Sequence, residues 1–322
     1  MNAPRLRLRA VDRVLELGER PWLMGIVNAS PDSFSDGGRQ ASIEEQLALA
    51  RKLLEAGADI VDIGGESAST GRPPVHPEQE IERVVPLVEA VAGELGALVS
   101  VDTYKPAVAR AAIAAGARIV NDVSGLRDPE LAAVCAQTGA ALVVMHTRAA
   151  PRERMQDPHL YGDITSEVLD FLRDRVAVAL DRGVSAEQLI VDPGPDFAKT
   201  PAQTVRLLRE VARLHELGRP LLMAISRKDF IGALTSRPPR SRLAGTLAAL
   251  AHGVQQGAHI FRIHDVAAAG EFLAVYRALE GEHRPAEDLV LAEELRHEPQ
   301  APDVPRVHDG LHARDEARRQ RR

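Results

Sequence analysis

Eight times between residues 23 and 264, a short apolar run ends on a polar or charged residue and gives way to a segment with helical spacing. The runs are Leu23 to Val27, Asp59 to Ile63, Ala97 to Val101, Arg118 to Val120, Ala140 to Met145, Gln188 to Val191, Pro220 to Ile225 and His259 to Ile263. Between and after them, helical periodicity covers 43–55, 78–92, 106–115, 129–138, 163–182, 202–217, 241–256 and 266–280. The runs are apolar throughout rather than alternating, as parallel strands covered on both faces must be. Eight units of about thirty residues predict a closed (β/α)8 TIM barrel, an α/β fold. A doubly wound open sheet is the alternative, but it gathers its site at one switch point and does not call for a polar residue after every strand.

The barrel is expected over 21–280. Residues 1–20 alternate loosely at Leu6, Leu8 and Ala10 and predict a small hairpin or lid. Residues 281–322 are rich in charge and proline and read as a partly helical, mobile extension, with a short helix at 286–296 and a surface or subunit-packing role. The net charge of -6 offers no basic block for nucleic acid. Cys135 is the single cysteine, so an intramolecular disulfide and a cysteine-built zinc site are excluded. No uncharged stretch approaches transmembrane length, and the N-terminus lacks a positively charged segment followed by an apolar run, so a cytoplasmic location and no membrane partner are expected. Lysine occurs four times, at 52, 105, 199 and 228, beside 36 arginines.

In a barrel the residues after the strands converge on one mouth. Here they are Asn28, Asp62, Asp102, Asn121, His146, Asp192, Lys228, Arg262 and His264. No dinucleotide fingerprint or phosphate-loop lysine motif accompanies them. Carboxylates and amides in this number can recognise a flat heterocycle with several N–H donors. Arg262 and His264 can receive an oxyanion, and Asn28 offers an oxygen to a hard cation such as Mg2+. Plainer readings stand beside these. Asp62 and Asn121 can cap helices or brace loops, Met145 can be core, His146 can satisfy a backbone partner, and Phe34 can anchor a loop.

The motifs resemble those of the dihydropteroate synthase family. Asn28-Ala-Ser-Pro-Asp-Ser-Phe-Ser-Asp-Gly-Gly38 is similar to the family's first mobile loop, and Asp62-Ile-Gly-Gly-Glu-Ser67 to the start of its second. Ser100-Val-Asp-Thr-Tyr-Lys105, Asn121-Asp122, Asp192-Pro-Gly194, Ser226-Arg-Lys228 and Arg262-Ile-His264 extend the likeness over residues 21–280. The resemblance implies condensation of 6-hydroxymethyl-7,8-dihydropterin diphosphate with para-aminobenzoate, with Mg2+, in a homodimer. It implies that Asp102, Asn121, Met145, Asp192, Lys228 and Arg262 hold the pterin. Asn28, Arg262 and His264 would meet the diphosphate, with Asn28 also at the metal. Asp102, Lys228, Arg262 and His264 would be catalytic, and Phe34, Ser69, Arg72, Phe197 and Asp229 would lie on the acceptor side.

The chain departs from the family pattern at three places. Ser69 stands where the second loop has arginine, with Arg72 nearby. Asp196 replaces a small residue before Phe197, and Asp229 replaces a serine after Lys228. These changes resemble divergent paralogues and leave open a different acceptor or little synthase activity. A corrinoid-linked methyltransferase on the same barrel is a further alternative. By charge logic, Ser69 and Asp229 disfavour an anionic acceptor and predict weak turnover with para-aminobenzoate.

Overall fold

The computed structural model describes residues 3–29, 42–66, 74–292 and 295–296. Phe34, Ser69 and Arg72 lie outside the described residues. The chain opens with an antiparallel hairpin, β1 (Leu6–Ala10) and β2 (Arg13–Leu17), paired from Leu6↔Leu17 to Ala10↔Arg13. Eight parallel strands follow: β3 (Trp22–Asn28), β4 (Ile60–Gly64), β5 (Leu98–Asp102), β6 (Ile119–Asp122), β7 (Ala141–Met145), β8 (Leu189–Asp192), β9 (Leu222–Met223) and β10 (Ile260–Ile263). Their order is β8-β7-β6-β5-β4-β3-β10-β9. A single parallel bridge, Val191↔Leu221, joins the two ends, with the Val191 N–H donating to the Pro220 carbonyl at 2.9 Å. The predicted (β/α)8 barrel is therefore present, its sheet nearly closed by this one bridge.

The helices are α1 (Ile43–Glu55), α2 (Pro77–Gly93), α3 (Pro106–Ala114), α4 (Glu130–Thr138), α5 (Ile164–Asp181), α6 (Pro201–Arg209), α7 (Asp229–Thr235), α8 (Leu243–Gln255) and α9 (Val266–Leu279). Local chemistry sets several boundaries. Ser42 and Glu45 form a reciprocal capping box at α1, and Thr200 and Gln203 do so at α6. Pro77, Pro106 and Pro201 begin their helices where a missing N–H costs nothing.

Three expectations are corrected. The seventh strand was expected from Pro220 to Ile225, but regular pairing is confined to Leu222–Met223. Pro220 has no N–H to give the ladder, and only its carbonyl is used. The helix expected over 202–217 is α6 followed by a 3-10 segment, Val211–Leu217. The helix expected at 286–296 is absent over the described residues 286–292. A single turn there, with the Leu289 N–H on the Ala286 carbonyl, leaves Leu289, Val290 and Leu291 exposed. Short helices need a packed apolar face, and this segment buries none. The compact unit ends at Arg277, and Ala278 begins a second, small unit.

The hairpin is a plug rather than a lid. Leu8, Ala10 and Leu17 are buried in one cluster with Met24, Ile60, Leu98, Ile119 and Ile260, the inward side chains near the amino ends of the strands. Its polar edge is tied to the same end. The Val11 N–H donates to the Gly139 carbonyl (2.7 Å), and the Arg9 guanidinium reaches Ser185 and Gln188. Two leucines buried in this way contribute about 1.5–3 kcal/mol each. The opposite, carboxyl end is left for the polar strand termini.

Candidate active site

Arg262 joins two carboxylates across the barrel mouth. Its position on β10 places it two strands from Asp62 on β4 and three from Asp102 on β5. Its Nε donates to Asp62 Oδ2 at 2.6 Å and its Nη2 to Asp102 Oδ2 at 2.8 Å. The same Asp62 oxygen accepts the Asn121 side-chain amide at 3.1 Å. Asp62 is fully buried, and its Oδ1 has no hydrogen-bond partner among the described residues. A planar guanidinium reaches the two carboxylates from two different nitrogens of a rigid fork, a geometry that the single nitrogen of a lysine does not reproduce. Burial pushes the Asp102 carboxyl up to about 7. Arg262 opposes this, while Asp62, Glu80 and Asp122 add to it.

Asp192 ends β8, and its Oδ1 accepts the Gly194 N–H at 2.7 Å. Burial raises its carboxyl to about 6, against the pull of that amide and of Lys228, Lys199 and Arg262. Gly194 has φ +63, and a Cβ there would sit 2.1 Å from the His146 carbonyl oxygen, so only glycine fits. Met145, opposite Asp192 in the β7–β8 register, is buried close beside Gly194. The Lys228 ammonium lies 4.4 Å from the centre of the Phe197 ring, and burial lowers its pKa against the nearby Asp196 and Asp192 carboxylates.

His264 follows β10. Ser226 Oγ accepts its backbone N–H at 3.1 Å and lies 3.0 Å from its Nδ1. Burial, with the Arg262 and Arg227 charges, brings the ring down to about 4, so it is neutral at pH 7. A Ser226 hydroxyl that donates to Nδ1 would leave the proton of the neutral ring on Nε2, where it could donate to an oxyanion. Asn28 ends β3 in register with Gly64 at the same rim.

The Asp229 carboxylate is held in an ion pair. Asp229 opens α7 half exposed, and its Oδ1 pairs with Arg242 Nη1 at 3.1 Å. The same nitrogen donates to the carbonyls of Arg227 (2.8 Å) and Lys228 (3.0 Å). The charge thought to repel an anionic acceptor is thus paired, which removes half of the argument for weak turnover with para-aminobenzoate. Asp196 is the departure with a structural function. Its Oδ1 accepts the Thr204 hydroxyl, and its Oδ2 accepts the backbone N–H groups of Asp229 and Phe230, tying the segment after β8 to α7.

A knot of buried charge beside the site had no counterpart in the sequence reading. Lys105 Nζ donates to Glu66 (2.6 Å), Glu80 (2.5 Å) and the Val75 carbonyl (2.7 Å). Glu66 also accepts Arg152, the Tyr104 hydroxyl (3.0 Å) and the Val75 N–H (3.1 Å). All four charged side chains are 12% exposed or less. One signal was present. Lys105, Lys199 and Lys228 are buried at this end or border the site, and only Lys52 is a surface lysine. In a chain that otherwise uses arginine, lysine stands where a compact three-donor point charge is needed.

Among the described residues, no three His, Cys, Asp or Glu side chains are grouped to hold a metal ion. None of the described helices is long and apolar enough to cross a membrane.

Carboxylates, an amide and cations gathered at the carboxyl end of a (β/α)8 barrel are the arrangement of a heterocycle-binding enzyme. The family described as "Pterin binding enzyme" matches residues 24–264, and this chain belongs to it, within the dihydropteroate synthases. The dihydropteroate synthase of Synechocystis sp. is 42% identical over 268 residues, covering 83% of this chain and 92% of that protein. Dihydropteroate synthase of Xanthomonas albilineans solved with 4-aminobenzoic acid is 42% identical, with a TM-score of 0.79, covering 86% of this chain and 99% of that one. The same enzyme solved with 7,8-dihydropteroate is 42% identical, with a TM-score of 0.76, covering 85% and 98%.

Proposed function

We propose that this chain condenses 6-hydroxymethyl-7,8-dihydropterin diphosphate with para-aminobenzoate, releasing diphosphate and forming 7,8-dihydropteroate. The C–O bond between the pterin methylene and the diphosphate breaks, and its electron pair leaves with the diphosphate. The amine nitrogen forms the new C–N bond and gives up a proton to solvent. The observation that carries this reading is the convergence of Asp62, Asp102, Asn121, Asp192, Lys228 and Arg262 at one end of the barrel, in a chain whose 42% identical relative was solved with the acid and with the condensed product.

Each residue has a distinct task in this reading. Asp192, ionised, accepts paired N–H groups of the pterin ring, while Asn121 and Lys228 meet its acceptors. Met145 forms the pocket wall beside Gly194. Asp102, held by Arg262, faces the electron-poor methylene, and Arg262 favours its charged form against the effect of burial and fixes its position. His264 donates from Nε2 to the departing diphosphate, with Ser226 fixing the tautomer. Phe197, against Lys228, borders the acceptor side with Asp229. Mg2+ would be held by Asn28 and by phosphate oxygens of the substrate, where it would neutralise leaving-group charge. Among the described residues no carboxylate cage is present, which suits an ion that arrives with the diphosphate.

Calorimetry with the pterin diphosphate tests the pocket. Wild-type protein is expected to bind it, and Asp192→Asn to lose about 1.5–3 kcal/mol, the range for a hydrogen bond to a charged group. Absence of binding by the wild type, or equal binding by the variant, would overturn the assignment.

A further inference from the structure

Lys199 is among the largest side chains wholly shielded from solvent in the described residues, and the proposed reaction gives it no task. Its amine is nevertheless fully engaged. Nζ lies 2.8 Å from His146 Nδ1 and donates to the carbonyls of Gly194 and Phe197, both at 2.9 Å. An ammonium has three donors, and these three acceptors use them all. For His146 to accept, its ring must be neutral at Nδ1, and burial and the Lys199 charge hold its pKa well below the ordinary value.

The backbone around this amine is kinked. Gly194, Asp196 and Ala198 all take left-handed φ values, of 63°, 66° and 51°. For the two non-glycine residues this conformation is sterically unfavourable and must be held by its surroundings. The kinks turn the Gly194 and Phe197 carbonyls onto Lys199. The same segment carries the Gly194 N–H that binds Asp192 and the Phe197 ring that packs on Lys228. On the other side, the His146 N–H donates to the Asp192 carbonyl at 2.9 Å, so Lys199 ties the end of β7 to the end of β8.

We propose that Lys199 is a positioning residue for pterin recognition: its amine holds segment 193–198 in its kinked form and, in the acidic range where Asp192 takes up its proton, adds a positive charge near that carboxylate. This rests on Asp192 being the pterin-binding carboxylate. The charged groups facing Asp192 are Lys228, Lys199 and Arg262. Those facing Lys199 are Asp192 and Asp196, which favour its charge, and Lys228 and Arg148, which oppose it, with neutral His146 in contact. Burial is the largest influence on both groups, raising the Asp192 carboxyl and lowering the Lys199 amine to about 7. Without Lys199, Asp192 loses an attractive charge and takes up its proton at higher pH.

The test compares wild type with Lys199→Met, which keeps the stem and removes the donors, and Lys199→Gln, which keeps an amide donor and removes the charge. The dissociation constant of 6-hydroxymethyl-7,8-dihydropterin diphosphate is measured by calorimetry as a function of pH, together with KM for para-aminobenzoate. In both variants the acid limb of pterin binding should move up by about one pH unit, the scale of a single lost charge interaction. Pterin affinity at neutral pH should fall about tenfold or more in the Met variant and less in the Gln variant, while KM for the acceptor stays within about twofold. If the Met variant does not fold, the Gln variant reports the limb. Acid limbs that superimpose on the wild type, or equal weakening of both substrates with no shift, would overturn the proposal alone. Wild-type protein that binds no pterin would remove this inference together with the reading on which it rests.

Discussion

Arg262→Ala is expected to abolish turnover and to destabilise the protein by about 3–5 kcal/mol, the loss seen when one partner of a buried ion pair is removed. Two carboxylates depend on this guanidinium. Asp62 is fully buried, already has one oxygen without a partner among the described residues, and would keep only the Asn121 amide on the other. Asp102 would lose the cation that opposes the effect of burial on its carboxyl. The pH dependence has a definite sign. A carboxyl whose folded pKa lies above its unfolded value binds protons preferentially in the folded state, so its penalty grows as pH rises from the unfolded pKa through the folded one. Asp102 is raised from 3.8 to about 7 even with Arg262 in place. The deficit of the Ala variant should therefore be largest at alkaline pH and shrink as the solution is acidified. Arg262→Lys should recover part of the stability and little of the activity, because the single nitrogen of an ammonium does not reproduce the fork that reaches Asp62 and Asp102. Urea titrations at two pH values, with turnover measured alongside, check both halves. An Ala variant as stable as wild type at alkaline pH would show that the pairing contributes nothing.

Lys105→Met should have a comparable effect on stability, about 3–5 kcal/mol, for the same physical reason at a different place. All three donors of Lys105 are used, and Glu80, 1% exposed, would be left as a buried carboxylate. Glu66 keeps Arg152, the Tyr104 hydroxyl and the Val75 N–H and suffers less. Burial alone would raise the Glu66 carboxyl, but the hydrogen bonds from Lys105, Val75 and Arg152 outweigh it and hold the pKa below its ordinary value of 4.5. A carboxyl depressed in this way contributes stability above its unfolded pKa and loses it as pH falls towards its folded pKa. The gap between wild type and Lys105→Met should accordingly narrow on acidification. Adding Glu80→Gln to Lys105→Met should recover at least half of the loss, since the uncompensated charge is then gone. Thermal melts of the four proteins complete the cycle. A double variant no better than Lys105→Met would mean that lost packing of the lysine stem, rather than the stranded charge, is responsible.

The barrel was legible because its signal is local. Each strand is a continuous apolar run, each run stops on a polar residue, and eight repeats leave few architectures. The strand-end residues could be named for the same reason, and Asp62, Asp102, Asn121 and Arg262 do meet in one hydrogen-bonded group. The rest depends on distant partners. Alternation in the first 20 residues predicts a half-buried hairpin but cannot say which end of the barrel buries it, and it was the amino end. Asp229 could be read as an added negative charge, but its neutralising Arg242 lies 13 residues on, beyond α7. That helix spans seven residues and includes Gly232, too short for periodicity to reveal. The Glu66–Lys105–Glu80 knot joins residues 25 and 39 positions apart. Only the scarcity of lysine hinted that those few positions are special.

The central claim is tested most directly by incubating wild-type protein with 6-hydroxymethyl-7,8-dihydropterin diphosphate, para-aminobenzoate and Mg2+, and measuring 7,8-dihydropteroate and free diphosphate in the same reaction. Both products should appear in equal amounts, at a rate that depends on both substrates and disappears in Arg262→Ala. Diphosphate released without dihydropteroate, or no product while the pterin diphosphate is firmly bound, would contradict the assignment.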